Sequence, residues 1–150
     1  MRLCRASSSM PLVSPMVNID GVPYLDGGVA DSVPIRHALK SGNAKIIVVL
    51  TRNPGYRKKP VSKGTAKLYR KAYKSYPKMA TCAVHRNRMY NRTMELVEKL
   101  EAEGRIYVIR PMVPTVSRLE RDYDKLMSFY EHGYALMKKE YANLLRYMEE

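Results

Sequence analysis

The sequence GVPYLDGGVADSVPI, residues 21–35, places the carboxylate of Asp26 directly before two glycines, at the end of a short apolar run. The run MVNID, residues 16–20, meets it at Asp20-Gly21, and an Asp-Gly pair between two apolar runs predicts a tight β-hairpin that ends at Asp26. A plain turn needs at most one glycine. The triplet Asp26-Gly27-Gly28 therefore requires a further explanation.

The chain after the triplet alternates helical and extended patterns. Pro34 suits a first helical turn and Gly42 a helix end, which predicts a helix of about two turns between them. Residues 46–50 are apolar at every position, which favours a strand covered on both faces, as in a parallel sheet between helices. The segment 105–110 alternates and stops at Pro111, which predicts a second strand of about six residues.

Three further helices are predicted in the second half. A basic helix spans residues 63–76, and after Pro77 a longer helix runs to about Glu103. Its apolar stripe consists of Tyr90, Met94, Val97 and Leu100. From Asp122 to the end, a three-four spacing predicts a long amphipathic helix that packs on the core or pairs with another helix. That stripe consists of Leu126, Tyr130, Tyr134, Met137, Tyr141, Leu144 and Met148.

Only two substantial strands are visible in this inventory, and a two-stranded sheet is marginal in water by itself. Two interpretations stay open. Either the chain associates through its strand edges, or it is the later part of a larger α/β sheet whose first strands lie outside this sequence.

The net charge of +13 is concentrated in one region. Residues 52–92 hold 13 Lys or Arg and no Asp or Glu, while the remainder holds 14 of each sign. Such a basic block is typical of a surface for anionic lipid, nucleic acid or an acidic partner. A solvated basic face without a ligand is an equal alternative. Tyr56, Tyr69, Tyr73 and Tyr76 are interleaved with it as candidate stacking or interfacial groups. The spacing of Tyr69, Tyr73 and Tyr76 also fits a core stripe, which is the favoured interpretation.

Two isolated cysteines and the lack of a secretory signal or a long apolar run favour a reducing, cytoplasmic location. The basic block would permit peripheral membrane association. His37, His85 and His132 are far apart in sequence, so we expect no metal site, and nothing indicates a cofactor. Ser7, Ser8 and Ser9 lack an adjacent base, and a turn or helix-cap role fits their hydroxyls.

Several segments together resemble bacterial patatin-like phospholipases. These are ASSSMP (6–11), the hairpin, YLDGGVADSVPI (24–35) and IIVVLTRNPGYRKKP (46–60). Three later segments resemble a subgroup with a characteristic tail: LYRKAYKSYP (68–77), RNRMYNRTMELVEKLEAEGRIYVIRP (86–111) and VSRLERD (116–122). The triplet alone is weak evidence, but its order with the serine-rich segment and the apolar strand is specific.

The resemblance implies an α/β fold, namely the C-terminal part of a three-layer α/β/α domain over residues 1–60. Residues 61–150 would form a mostly helical C-terminal region with one strand, 105–110, on the same core. Patatin-like enzymes hydrolyse lipid and other carboxylic esters with a Ser-Asp dyad, in which the Asp begins a DG[GA] triplet. Asp26 matches that residue, and Gly27 and Gly28 would let the backbone aim it. No cofactor is implied.

The sequence departs from the family because none of its glycines begins a GxSxG motif, and the glycine-rich oxyanion loop is also missing. We therefore expect a truncated frame, a fragment or one half of a split protein that is inactive alone. Its partners would be an ester substrate, an anionic membrane surface, the missing N-terminal half or a second copy; nucleic acid is not expected. The alternative is a non-enzymatic module that binds anionic lipid or other phosphates through Arg52, Arg57, Lys58 and Lys59.

Overall fold

The computed structural model describes residues 1–117 and 119–150, which form two compact units. Unit 1 comprises residues 1–35 and 57–95, and unit 2 comprises residues 36–56 and 96–150. Arg118, in the tail segment VSRLERD, lies outside the described residues. The helices are α1 (Arg2–Ser7), α2 (Ile35–Lys40), α3 (Lys63–Ala72), α4 (Pro77–Ala102) and α5 (Tyr123–Glu149). The strands are β1 (Val17–Ile19), β2 (Val22–Tyr24), β3 (Ile47–Val49) and β4 (Tyr107–Ile109).

The chain is therefore a mixed α/β protein, with more helix than strand in the described residues. Its strands form an antiparallel pair, β1–β2, and a parallel pair, β3–β4. The three-layer arrangement of a complete patatin-like domain stays a prediction, as does the boundary at residue 60. No helix in the described part of the chain combines the length and the apolar character needed to cross a membrane.

The predicted hairpin is confirmed in unit 1. Strands β1 and β2 pair with Val17 opposite Tyr24 and Ile19 opposite Val22. Asp20 (φ 51°) and Gly21 (φ 82°) are both left-handed, as the two central residues of a tight hairpin turn require. The Asn18 side-chain oxygen accepts a hydrogen bond from Gly21 N–H at 2.9 Å and closes the turn.

The core of unit 1 lies where α3 and the start of α4 meet the segment after the hairpin. Its buried members are Val29, Tyr69, Tyr73, Ala80 and Ala83. The predicted basic helix begins as expected, with Ser62 as its cap, but it ends at Ala72 rather than Tyr76. The reason is Pro77, which disfavours helical geometry at the residue before it, so the chain turns out of α3 before α4 begins.

The parallel pairing of the apolar strand is confirmed in unit 2, but its double coverage is wrong. Ile47 pairs with Tyr107, and Val49 with Ile109. Val48 is buried, whereas Val49 is 71% exposed and Ile47 is 40% exposed. Successive side chains of a strand point to opposite faces, and here only one face is covered.

The two long helices differ in how far their predicted stripes are buried. The α4 stripe is confirmed, since Tyr90, Met94, Val97 and Leu100 are all buried. No residue of α5 is buried, so the prediction of its stripe as core is wrong. Helix α5 is fixed to unit 2 by another face, where the Tyr147 hydroxyl donates to Arg105 O at 3.2 Å and accepts from Ile46 N–H at 3.2 Å.

Candidate functional site

The candidate site is the Asp26 carboxylate, which lies two residues beyond β2. Asp26 caps the single 3₁₀ turn Gly27–Val29, because its Oδ1 accepts a hydrogen bond from Gly28 N–H at 2.7 Å. Its own backbone N–H donates to Ser9 O at 2.9 Å. The residue is half-buried. The segment after α1 thus holds the backbone of Asp26, while the following turn holds one oxygen of its side chain.

The two glycines of the triplet contribute differently to this geometry. A Cβ built on Gly28 would lie 3.1 Å from Asp26 Oδ1, closer than an ordinary van der Waals contact. A Cβ on Gly27 would have open space around it. Neither glycine adopts the left-handed conformation that would demand a glycine. Close approach to the carboxylate therefore explains Gly28, and nothing in the structure explains Gly27.

The arrangement leaves the second carboxylate oxygen available. Among the described residues, no group donates a hydrogen bond to Asp26 Oδ2. A half-buried carboxylate with one oxygen fixed and the other open can orient a hydroxyl and accept its proton. No serine hydroxyl of the described chain is bonded to it. Ser8 Oγ and Ser9 Oγ donate to Cys4 O (3.0 Å) and Arg5 O (2.8 Å), which confirms a helix-end role for both.

The candidate anion-binding residues belong to different units. Arg52, in unit 2, donates from Nη1 to Thr115 Oγ1 at 2.9 Å, and its guanidinium carbon lies 5.0 Å from the centroid of the Tyr56 ring. Its neighbour Asn53 donates to Pro111 O and Val113 O. Both side chains connect the segment after β3 to the segment after β4.

Arg57, Lys58 and Lys59 belong to unit 1. Lys58 Nζ lies 3.9 Å from the centroid of the Tyr90 ring, and the Lys58 backbone exchanges two hydrogen bonds with the Asn91 side chain. Lys59 is exposed, and its backbone oxygen accepts from Asn87 Nδ2 at 2.7 Å. These contacts fix the segment on α4, and anion binding there stays a prediction.

The interleaved tyrosines divide between core and surface. Tyr69 and Tyr73 are buried in unit 1, as the core interpretation predicted, and the Tyr73 hydroxyl accepts from Leu12 N–H at 2.9 Å. Tyr56 and Tyr76 are exposed, so the core prediction is wrong for Tyr76. Because they are buried, Tyr69 and Tyr73 cannot stack on a ligand in this conformation.

Two features escaped the sequence interpretation. The carbonyl of Ser9 helps hold Asp26, but a backbone carbonyl leaves no signal in a sequence. In unit 2, the Tyr107 hydroxyl donates to a Glu140 carboxylate oxygen at 2.7 Å. Burial and this bond raise the pKa of Tyr107 to about 12, and the same bond is the main reason why the pKa of Glu140 is lowered. Their separation of 33 positions gives no short-range pattern.

Comparison with known proteins gives separate matches for the two ends of the chain. Residues 1–39 match the family model of patatin-like phospholipases, and residues 76–149 match a domain of unknown function, DUF6363. The chain is also similar to the uncharacterized protein YjjU of Escherichia coli strain K12, with 38% identity over 48 residues. That alignment covers 31% of this chain and 13% of the relative.

The patatin resemblance is thus shown for residues 1–39, which include the hairpin and the Asp26-Gly27-Gly28 triplet. Its predicted continuation over residues 46–60 lies beyond this match. Most of the residues interpreted as a characteristic tail fall within the DUF6363 match.

Proposed function

We propose that this chain is the aspartate-bearing part of a patatin-like serine acyl hydrolase that acts on lipid or other carboxylic esters. The observation that carries the proposal is the patatin-like match over residues 1–39, which contains Asp26, a half-buried carboxylate with one oxygen bonded to Gly28 N–H. In this proposal Asp26 is the dyad base. The nucleophilic serine and the oxyanion donors come from residues outside these 150, because no GxSxG occurs in them.

The proposed chemistry places a serine hydroxyl on the open oxygen of Asp26. The hydroxyl proton passes to Oδ2 while the serine oxygen attacks the ester carbonyl, and the proton then passes to the leaving alkoxide. Water repeats the cycle on the acyl-enzyme and releases the acid. A carboxylate is a weak base, so the reaction depends on the position in which Asp26 is held. The Gly28 bond to Oδ1 supplies that position.

The test is hydrolysis of a short-chain p-nitrophenyl ester by the 150-residue chain and by the same chain extended with the residues encoded upstream of it. We expect hydrolysis only in the extended chain. Asp26→Asn should lower kcat by about 10²-fold or more, because the amide keeps an acceptor for Gly28 N–H but cannot take up the proton.

The matched control is Asp31→Asn, which alters an exposed carboxylate five positions away that accepts from Val33 N–H. This variant should retain the activity of the extended chain. Circular dichroism and thermal unfolding of both variants establish that their folds are intact. Hydrolysis that survives Asp26→Asn, or an extended chain that cleaves none of a series of short and long acyl esters, would contradict the proposal.

A further inference from the structure

Helix α5 contacts the rest of unit 2 through one of its faces. Along that face, His132 Nε2 accepts from Met112 N–H at 3.1 Å, Glu140 accepts from Tyr107, and Tyr147 bonds to Ile46 and Arg105. The rings of Tyr107 and Tyr147 also pack at 5.5 Å between centroids. The spacing of eight and seven residues keeps these contacts on one side of the helix.

Another face of α5 carries large apolar side chains that the described chain leaves exposed. They recur at three-four spacing along about 38 Å of helix, and each is between 39% and 70% exposed. They are Tyr123, Leu126, Tyr130, Tyr134, Tyr141, Leu145 and Met148. We call this set the α5 stripe. Met137 and Leu144, on the same side, are half-buried.

The area of the α5 stripe matches the surface that a stable dimer contributes. Scaled by its exposed fractions, the set presents on the order of 700 Å² of largely apolar surface. The largest patch on a typical monomer is about 300–600 Å². A standard protein interface buries roughly 800 Å² on each partner, and aromatic side chains are enriched in it.

The charges beside the α5 stripe suit a second copy of the same helix. Glu131 and Lys138 are exposed and lie on the same flank, seven positions apart, with Lys138 Nζ 5.2 Å from the centroid of the Tyr134 ring. In an antiparallel pair with its two-fold axis beside Tyr134, each Glu131 faces the Lys138 of the other copy. Two reciprocal ion pairs result, as an isologous interface requires.

The same flank argues against an anionic lipid surface as the occupant. By helical periodicity it carries the acidic residues Asp124, Glu131 and Glu149 and one lysine, Lys138, and α5 as a whole has no basic excess, with four acidic and four basic side chains. Helices that lie on anionic membranes place Lys and Arg along their polar face. We propose that α5 pairs in antiparallel orientation with α5 of a second copy, and that the α5 stripe is the centre of this homodimer interface.

The first experiment measures the mass of the full chain by sedimentation velocity between about 1 and 100 μM, because interfaces of this size have dissociation constants of about micromolar or below. We expect a dimer. Tyr134→Asp should make the chain monomeric, because it introduces two charges at the two-fold axis. Lys139→Glu, five positions along and about 140° around the helix from Tyr134, should leave the dimer intact. A wild-type chain that is monomeric throughout this range overturns the proposal.

The second experiment tests orientation by exchanging charges. Glu131→Lys and Lys138→Glu should each weaken the dimer about tenfold, since each creates two like-charge contacts. The double variant should restore it, because the reciprocal pairs form again with opposite polarity. A parallel pair would place the two copies of this flank on opposite sides of the interface, so Glu131 and Lys138 would not meet and no such rescue would occur. Failure of rescue therefore contradicts the proposed arrangement even if a dimer forms.

Cross-linking gives an independent measure of register. In a chain with Cys4→Ser and Cys82→Ser, Tyr134→Cys should link to Tyr134→Cys of the second copy through a short bis-maleimide. Tyr123→Cys should not, because its two copies lie at opposite ends of the antiparallel pair.

Binding to vesicles of mixed zwitterionic and anionic lipid tests a membrane as the alternative partner of the α5 stripe. A monomeric chain that binds them through the α5 stripe would assign this face to a membrane instead.

Discussion

The two carboxylate oxygens of Asp26 have different roles, one in the local structure and one in the proposed chemistry. Oδ1 caps the turn through Gly28 N–H, and Oδ2 is the oxygen that we assign to the serine proton. The geometry requires the backbone of Gly28 to pass directly beside the carboxylate. Gly28 therefore has a local physical reason in this chain, which is independent of whether the chain hydrolyses an ester.

Gly28→Ala should lower the free energy of unfolding by roughly 1 kcal/mol relative to Gly27→Ala. The added methyl meets Oδ1 at 3.1 Å, and the carboxylate can retreat only by weakening its 2.7 Å bond. The Gly27 methyl enters open space. Urea unfolding of both variants gives the difference.

A double-mutant cycle identifies the cause of that difference. In an Asp26→Ala chain the carboxylate oxygen is gone, so Gly28→Ala should cost little more than Gly27→Ala. If the cost of Gly28→Ala is unchanged in this background, the contact with Oδ1 is not its source.

At the level of helices and strands, sequence rules correctly predicted turns, helix starts and helix breaks, because residues adjacent in the chain determine these features. The Asp20-Gly21 turn, the start of α3 at Lys63 and the break before Pro77 all depend on residues adjacent in sequence, and the structure contains all three. One face of β3 and one face of α5 are exposed, although their apolar patterns predict a strand covered on both sides and a helix that packs on the core or pairs with another helix. An apolar pattern shows that a face is suited to burial, but not whether the same chain supplies the covering layer.

In the candidate site, too, local sequence predicted some features and missed those that depend on tertiary packing. Asp26, at the end of the hairpin, could be located from local sequence, whereas the Ser9 carbonyl that holds it could not. Arg52 and Lys58 were interpreted as anion-binding from their charge alone. Their contacts with Tyr56 and Tyr90 depend on tertiary packing, which a basic pattern does not reveal.

The bond between Tyr107 on β4 and Glu140 on α5 should make stability depend on pH at both ends of the scale. The pKa of Glu140 is lowered, mainly by this bond, so its contribution is present above the unfolded value and is lost as pH falls through the folded pKa. Burial, followed by the same bond, raises the pKa of Tyr107 from 10.0 to about 12. That contribution is present below pH 10.0 and is lost as pH rises towards about 12.

Tyr107→Phe tests this coupling directly. The variant should be less stable at neutral pH by about 1 kcal/mol, because the phenol hydrogen bond is lost. The pKa of Glu140, followed by NMR of its carboxyl carbon, should rise towards its ordinary value. Tyr141→Phe, on the exposed side of the same helix, should leave that pKa where it is. An unchanged Glu140 titration in Tyr107→Phe would show that other groups set its pKa.

Across the whole molecule, the positive charge is divided unequally between the units. Unit 1 contains 14 basic and 4 acidic side chains, and unit 2 contains 13 basic and 10 acidic ones. The net charge is thus +10 on unit 1 and +3 on unit 2. Self-repulsion of this size destabilises a compact state, because folding brings the like charges together. The excess shows most clearly on α3, where exposed Lys63, Lys67 and Lys71 follow one another at intervals of four.

The stability of the chain should therefore rise with salt, and a single charge reversal on α3 should reproduce part of that gain. Raising sodium chloride from about 20 mM to about 300 mM shortens the screening length several-fold, so the free energy of unfolding should increase. At the lower salt, Lys67→Glu should stabilise the chain by about 1 kcal/mol, because two repulsive pairs at four-residue spacing become attractive. Lys67→Gln, which only removes the repulsion, should give about half of this gain. Urea unfolding at both salt concentrations measures all three chains, and the advantage of Lys67→Glu should shrink at the higher one. An advantage that is independent of salt would mean that helix propensity or packing, rather than the charge of unit 1, is responsible.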